Sequence, residues 1–366
     1  MRAFLLAVLV ALLLAPAPAI AREPLANITP PAVCCDPVFG VRMTVEPGTW
    51  TPEPVSYAYQ WLRGGHPIDG AVKRGYRPTL ADLDHRLSVQ VTATDALGNQ
   101  GTATTAPSSR TRRADLVVHR NAQIRGLVRY TRTLSVEPGR WDHQPTRRRY
   151  VWLRSGVPIE GATGRRYTLG VADVGHKIKV RERVKRPGYG WARVASSATA
   201  PVGYRVPVRR TVTYRIETRG AISTSVREFA QLAAQTYADP RGWRNAGVAF
   251  RRVNGPSDFS LVLAEASWLP RFSPVCSVQW SCRAGRYVVI NQLRWKFASP
   301  SWNGAGKSLR DYRNLVVNHE TGHWLGHGHL GCPGPGRLAP VMMQQSKGLA
   351  GCRHNPWPLP SELWSR

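Results

Sequence analysis

Apolar and polar residues alternate in short runs between about residues 22 and 203, which is the pattern of half-buried β-strands. Residues 87–91 and 178–181 are examples, and glycine and proline residues between such runs mark turns. From about residue 204 the pattern changes to a mixture of strand runs and helical stripes. Strands are predicted there at residues 212–216, 247–250, 259–263 and 287–290.

Two helices are predicted in this C-terminal part, each with a capping signal at its start. Ser225 with Glu228 forms a capping box, and Asp239-Pro240 ends that helix. Ser308, three residues before Asp311, starts the second helix. The apolar sides of the two helices read Val226, Phe229, Leu232, Ala233 and Tyr237, and Leu309, Tyr312, Val316, His319 and His323.

The strand-rich part contains an internal repeat with an offset of 91 residues. Trp61-Leu62-Arg63 returns as Trp152-Leu153-Arg154, and Val45-Glu46-Pro47-Gly48 returns as Val136-Glu137-Pro138-Gly139. Module size and a central tryptophan are consistent with an immunoglobulin-like sandwich, and the modules resemble tandem Ig-like repeats of bacterial surface proteins. Trp61 and Trp152 are interpreted as core residues, with aromatic ligand platforms as the alternative. The modules are predicted to act as spacers or adhesive units.

The densest chemical signal is HExxHxxGxxH at residues 319–329. Residues four apart share one face of a helix, so His319 and His323 can bind one cation. Gly326 lets the chain leave the helix in a left-handed conformation, and His329 can then return as the third ligand. Glu320, next to the first ligand, is placed to take a proton from water. Three ligands with a fourth position open to water or substrate are typical of catalytic zinc.

This stretch resembles the zinc helix of the metzincin metalloproteases, and residues 340–344 resemble their methionine turn. Helix and turn together resemble a secreted actinobacterial family of unassigned function with metzincin-like signatures. The resemblance implies a Zn²⁺ peptidase with Met342 beneath the metal, Met343 being the alternative. One departure is that glutamine, at 344 and 345, stands where some metzincins carry a tyrosine. His327 is the alternative third ligand, and His354 is predicted to lie on the surface.

The predicted architecture is multidomain: two all-β Ig-like sandwiches followed by an α+β metzincin-like zinc peptidase domain. The predicted bounds are a signal peptide at 1–21, Ig-like modules at 22–112 and 113–203, and a catalytic domain at 204–366. An uncleaved membrane anchor is the alternative to the signal peptide. The mature chain is therefore expected to be secreted or at the cell surface.

An exported chain is expected to use its six cysteines as bridges. The segment between Cys332 and Cys352 has little helix or strand pattern yet must hold the methionine turn, so these two are predicted to be joined. Cys276 and Cys282 would then form a second bridge, while pairing of either with the C-terminal cysteines is the alternative. Adjacent cysteines seldom bridge each other, so Cys34 and Cys35 are left unassigned.

The net charge of +29 and the pI near 11.1 favour an anionic partner. No recognition helix or zinc knuckle accompanies the charge, so no specific nucleic acid is expected and an anionic cell envelope is preferred. Arginine enrichment on a solvated surface is the alternative.

The sequence thus supports two hypotheses of different classes. The first is a secreted zinc metallopeptidase acting on a protein or peptide substrate, with residues 287–290 as a central strand or as an edge strand that pairs with substrate. The second is an envelope-binding or adhesive Ig-like protein whose zinc site is structural or vestigial. A fourth protein ligand would favour the second. Substrate, cleavage preference and oligomeric state are not defined by the sequence.

Overall fold

The computed structural model describes residues 24–363, so the predicted signal peptide lies outside the described residues. Contacts divide the chain into two compact units. Of the described residues, one unit comprises 24–119, 141–148 and 183–192, and the other comprises 120–140, 149–182 and 193–363. The domain boundaries predicted from the sequence stay predictions. The described chain is multidomain and mostly β-sheet.

The first module is a set of short strands packed around a buried tryptophan. Its sheets have the orders β2-β3-β7 and β6-β5-β8-β9, and β1 pairs with β4. Trp61 is fully buried among Met43, Val45, Leu87 and Val91, which confirms that it is a core residue. The strands are β1 (Ala26–Thr29), β2 (Ala32–Val33), β3 (Met43–Glu46), β4 (Thr49–Thr51), β5 (Ser56–Arg63), β6 (His66–Pro67), β7 (Gly75–Tyr76), β8 (Leu87–Thr94) and β9 (Gln100–Thr104).

The second module repeats these elements at the offset found in the sequence. Its sheets have the orders β11-β12-β16 and β15-β14-β17-β18, and Trp152 is fully buried in its core. The long strands β14 and β17 begin 91 residues after β5 and β8. The strands are β10 (Val118–Arg120), β11 (Gln123–Arg125), β12 (Thr133–Glu137), β13 (Arg140–Trp141), β14 (Arg147–Arg154), β15 (Val157–Pro158), β16 (Arg166–Thr168), β17 (Ile178–Lys185) and β18 (Ala192–Ala195).

Each module contains one fully buried aspartate that cross-links three chain segments. In the first module, Asp82 accepts hydrogen bonds from Arg63 Nε at 2.7 Å and from the Tyr76 hydroxyl at 2.8 Å. It also accepts one from the Thr79 amide at 2.6 Å. Burial raises the pKa of Asp82, but these hydrogen bonds favour the carboxylate more strongly, so its pKa lies below the ordinary value. Asp173 repeats the contacts to arginine and tyrosine in the second module.

The C-terminal part is built on a five-stranded mixed sheet of order β20-β19-β21-β23-β22. The first four of these strands are parallel, and β22 pairs antiparallel with β23 at the edge. The Tyr287–Asn291 strand is therefore central, and the edge strand is one that the sequence pattern did not indicate. The strands are β19 (Arg210–Arg219), β20 (Val248–Arg252), β21 (Phe259–Ala264), β22 (Cys282–Ala284) and β23 (Tyr287–Asn291).

Helices cover one face of this sheet and build the larger core. Both predicted caps are present: Ser225 Oγ accepts the Glu228 amide, and Ser308 Oγ accepts the Asp311 amide. On β21, Phe259, Leu261 and Leu263 face this helical core, while Val262 and Ala264 face a smaller one. The helices are α1 (Val226–Ala238), α2 (Gln292–Phe297), α3 (Pro300–Gly304), α4 (Leu309–Trp324) and α5 (Pro360–Leu363), with 3-10 turns at Leu80–Asp82, Val171–Asp173, Trp243–Ala246 and Ala266–Arg271.

The structure joins all six cysteines in pairs. Cys332 is bonded to Cys352 and Cys276 to Cys282, which confirms both predicted pairs. The adjacent Cys34 and Cys35, left unassigned by sequence reasoning, are bonded to each other. The first pair closes the segment that carries the methionine turn, and the second closes the loop that enters the edge strand.

Candidate metal centre

The end of α4 has the hydrogen bonds of a Schellman motif. The His327 amide donates to the Gly322 carbonyl at 2.9 Å, and the Gly326 amide donates to the His323 carbonyl at 3.2 Å. Gly326 has a φ of 100°, in the left-handed region that glycine adopts without a steric penalty. The predicted role of this glycine is confirmed, and the turn directs the following residues back toward the helix.

The turn brings the imidazole of His329 to the two histidines on the helix. His323 Nε2 lies 3.2 Å from His319 Nε2 and 3.1 Å from His329 Nε2. Among the described residues, these three histidines are the cluster of His, Cys, Asp or Glu side chains whose geometry suits a metal ion, with ligand atoms within 4.8 Å of one another. No fourth His, Cys, Asp or Glu side chain joins the cluster in the part of the chain that the structure describes.

Hydrogen bonds to backbone carbonyls orient two of the rings. His319 Nδ1 lies 2.7 Å from the Val341 oxygen, and His323 Nδ1 lies 2.8 Å from the His327 oxygen. A carbonyl oxygen only accepts, so both Nδ1 atoms donate, and in the neutral rings both Nε2 atoms then carry lone pairs. Lone pairs that converge in this way can be shared by one metal ion.

The spacing of these nitrogen atoms fits zinc. Zn–N bonds of about 2.0–2.1 Å in a tetrahedron separate neighbouring ligand atoms by about 3.3 Å, close to the two distances above. Burial lowers the pKa of His319 to about 3, helped by the neighbouring His323, and burial also lowers the pKa values of His323 and His329. The neutral imidazole is the form that binds a metal. The residues present therefore fit a three-histidine zinc site.

Glu320 lies beside this cluster on the wall of a cleft. Only 6% of its surface is exposed, and burial raises its pKa to about 8. The cleft has a volume of about 630 Å³. Its other walls come from the Cys276–Cys282 loop, the edge strand, α4 and the segment after the methionine turn, and include Trp280, Arg283, Tyr312, Gln344 and Lys347. A buried carboxylic acid next to three converging imidazoles can exchange protons with a molecule held in the cleft.

The methionine turn packs directly beneath the helix. Met342 is fully buried in the main core, and a Cβ at Gly322 would overlap its sulfur and lie 2.8 Å from Trp243. Met343 instead packs with the Cys332–Cys352 bridge in a smaller cluster. Met342 is thus the residue beneath the helix turn, and Gly322 is required there by close packing.

The two spare histidines lie outside the cluster. The ring of His327 stacks on Trp243, with centroids 4.6 Å apart. The prediction that His354 lies on the surface is wrong, because its side chain is buried against Trp302 with Nε2 3.2 Å from the Ser301 oxygen. No periodic pattern surrounds His354, so its burial could not be read from the sequence.

Sequence reasoning missed the edge strand and the cations on the cleft wall. Cys282–Ala284 is too short for a periodic signal, and its only marker was the Cys276–Cys282 spacing. Arg283 and Lys347 could not be separated from the many other basic residues. In the described residues, no helix combines the length and the apolar character needed to cross a membrane.

Comparison with known proteins gives a family match for the C-terminal part. Residues 184–360, just under half of the chain, match the family described as "Protein of unknown function (DUF3152)". That description assigns no activity. No curated protein matches the chain.

Solved structures similar to this chain include proteins with Ig repeats. Three N-terminal domains of the Highly Immunogenic Outer Capsid protein of bacteriophage RB49 are 13% identical over 51% of this chain and 65% of theirs, with a TM-score of 0.23. The tandem Ig repeats of Dlar are 14% identical over 47% of this chain and 96% of theirs, with a TM-score of 0.15. The four N-terminal Ig domains of Dscam1 isoform 9.44 are 13% identical over 48% of this chain and 46% of theirs, with a TM-score of 0.22. Scores this low carry no argument about this chain.

Proposed function

We propose that this protein is an exported zinc metallopeptidase whose C-terminal domain has a metzincin-like α+β fold. The observation that carries the proposal is the convergence of three imidazole Nε2 atoms, two of them with Nδ1 bonded to a backbone carbonyl. The absence of a fourth side-chain ligand among residues 24–363 favours a catalytic site over a structural one. The mixed sheet, the helix and the methionine turn support the resemblance.

His319, His323 and His329 would hold the zinc. When bound, zinc supplies a Lewis acid that polarises a peptide carbonyl and makes water more acidic. Glu320 accepts the proton of the attacking water and passes it to the leaving amine. Burial raises the pKa of Glu320, so its carboxylate takes up a proton more readily than an exposed one would.

The substrate that fits this site is an extended peptide. The Cys282–Ala284 strand ends the sheet, and Cys282 and Arg283 line the cleft, so this edge is where a substrate peptide could add as a further strand. The three histidines line the same cleft as this edge. The Cys276–Cys282 bridge restrains the loop that leads into the strand and so preorganises this edge.

The test is a digest of a peptide library by the full chain, comparing wild type with Glu320→Gln. The variant should keep its zinc and lose about 10²–10⁴-fold in rate, because general-base help is worth that much. Glu46→Gln, at a side chain that is 66% exposed, is the matched control and should cleave like wild type. Near-normal turnover by Glu320→Gln would exclude Glu320 as the base.

A second candidate function is adhesion through the two repeated modules. It rests on their duplicated β architecture and on the net charge of +29, which favours an anionic cell envelope as partner. In this alternative, the zinc site is structural or vestigial. Zinc-loaded protein that sediments with anionic cell-wall material but cleaves no peptide in the library would support adhesion over hydrolysis. Cleavage without any sedimentation would reject it.

A further inference from the structure

The short C-terminal helix places one buried carboxylate against the methionine turn. Glu362, on α5, is only 2% exposed. Its Oε2 accepts the Val341 amide at 2.9 Å, and its Oε1 accepts the Met342 amide at 2.8 Å. Oε2 also accepts the Leu359 amide at 2.6 Å. Both carboxylate oxygens are therefore used to hold backbone N–H groups.

These contacts connect Glu362 to a proposed zinc ligand through one residue. The Val341 N–H donates a hydrogen bond to Glu362. The Val341 carbonyl oxygen accepts one from His319 Nδ1, at 2.7 Å. Movement of this residue would rotate the imidazole that it holds. The neighbouring Met342 is fixed in the same way, and its sulfur packs against Gly322 on the helix itself.

We infer that Glu362 is a positioning residue of the metal centre. It fixes the backbone at Val341 and Met342, and the Val341 carbonyl in turn holds His319 with its Nε2 directed toward His323. The inference rests on the proposed zinc site. It assigns a role to a residue 33 positions after His329, the end of the histidine motif. Neither the motif nor the predicted methionine turn includes this residue.

The chemistry of the contacts requires a carboxylate with the length of glutamate. Bonds from N–H groups to an ionised oxygen are shorter and stronger than bonds to a neutral one. Glutamine fills the same volume, but its NH₂ group would face a backbone N–H and leave two donors opposed. Aspartate keeps the charge, but it is one methylene shorter and cannot span both amides with the same backbone position.

The experiment measures zinc affinity in the full chain by competition with a chromophoric chelator, comparing wild type, Glu362→Gln and Glu362→Asp. Partners of metal-binding histidines typically change metal affinity by about 10–100-fold when they are mutated. We expect a loss in that range for Glu362→Gln and a smaller loss for Glu362→Asp, which also serves if the glutamine variant does not fold. Leu261→Ala, which opens a cavity in the same core, is the control for destabilisation alone.

Two further readouts distinguish positioning from general stability. The absorption spectrum of the cobalt-substituted protein should change in Glu362→Gln and stay as in wild type in Leu261→Ala. Nitrogen NMR of the metal-free protein should show that the His319 ring loses its single Nδ1–H tautomer only in the Glu362 variants. Wild-type affinity and spectrum in a folded Glu362→Gln would overturn the inference. Failure of wild type to bind zinc would instead overturn the proposed function.

Discussion

Replacing Gly322 by alanine should change the free energy of unfolding in two opposite ways, through helix propensity and through core packing. Gly322 lies inside α4, where alanine is favoured over glycine by about 1 kcal/mol in helix propensity. A Cβ there would overlap the Met342 sulfur, lie 2.8 Å from Trp243 Cζ2 and lie 3.2 Å from Met342 Cε. Adding a methyl group to a filled core typically costs about 1–3 kcal/mol.

The neighbours of Gly322 have little freedom to move away. Trp243 is 1% exposed, and its indole Nε1 donates to the Asn318 carbonyl at 2.9 Å. This hydrogen bond restricts movement of the ring away from Gly322. Met342 is fully buried, and its amide is bonded to Glu362. We therefore place the packing cost near the upper end of its range, and expect Gly322→Ala to destabilise this domain by about 1–2 kcal/mol net.

Calorimetry of the full chain can measure this effect in the right domain. If the proposed site binds zinc, added zinc should raise the transition temperature of that domain, and this identifies the transition to follow. The expected loss corresponds to a fall of about 2–8 °C for a domain of this size. Gly304→Ala is the matched control, because Gly304 ends α3 with nothing within 4 Å of the added Cβ. A Gly322→Ala variant as stable as wild type, or stabilised like the control, would refute the close-packing argument.

Three other outcomes follow from named contacts. His323→Ala should lose tight zinc binding in a metal analysis while His327→Ala keeps it, because the His327 ring stacks on Trp243 and only its backbone oxygen serves the cluster; the reverse result would show that the ligands are misassigned. Cys332→Ser should lower the free energy of unfolding by about 3 kcal/mol, measured in denaturant, and an unchanged midpoint would contradict the bridge. Asp82→Asn should destabilise the first module by about 1–3 kcal/mol at neutral pH. Because the folded-state pKa of Asp82 is lowered, its contribution is present above the unfolded-state value and is lost as pH falls through the folded-state value, so wild type should lose this advantage in acid.

The local features of the candidate site could be predicted from the sequence because each depends on residues close in the chain. The i, i+4 spacing places His319 and His323 on one helix face, and the glycine at 326 permits the turn that returns His329. The Ser308 cap likewise depends on residues three apart, and the internal repeat is found by comparing the sequence with itself. The Cys332–Cys352 bridge followed from the need to restrain a segment with little regular structure.

The tertiary structure alone decided what depends on contacts between distant segments. The order of strands in the sheet makes Cys282–Ala284 an edge strand and Tyr287–Asn291 a central one. The sequence of a three-residue strand does not indicate which strand it will pair with. Two hydrogen bonds form only when three separate segments pack together. One joins His319 to the Val341 carbonyl, and the other joins the Val341 amide to the Glu362 carboxylate. His354 is buried for the same reason. Hydrophobic periodicity records which face of an element is covered, but hydrogen bonds between segments are set by the fold that brings their backbones together.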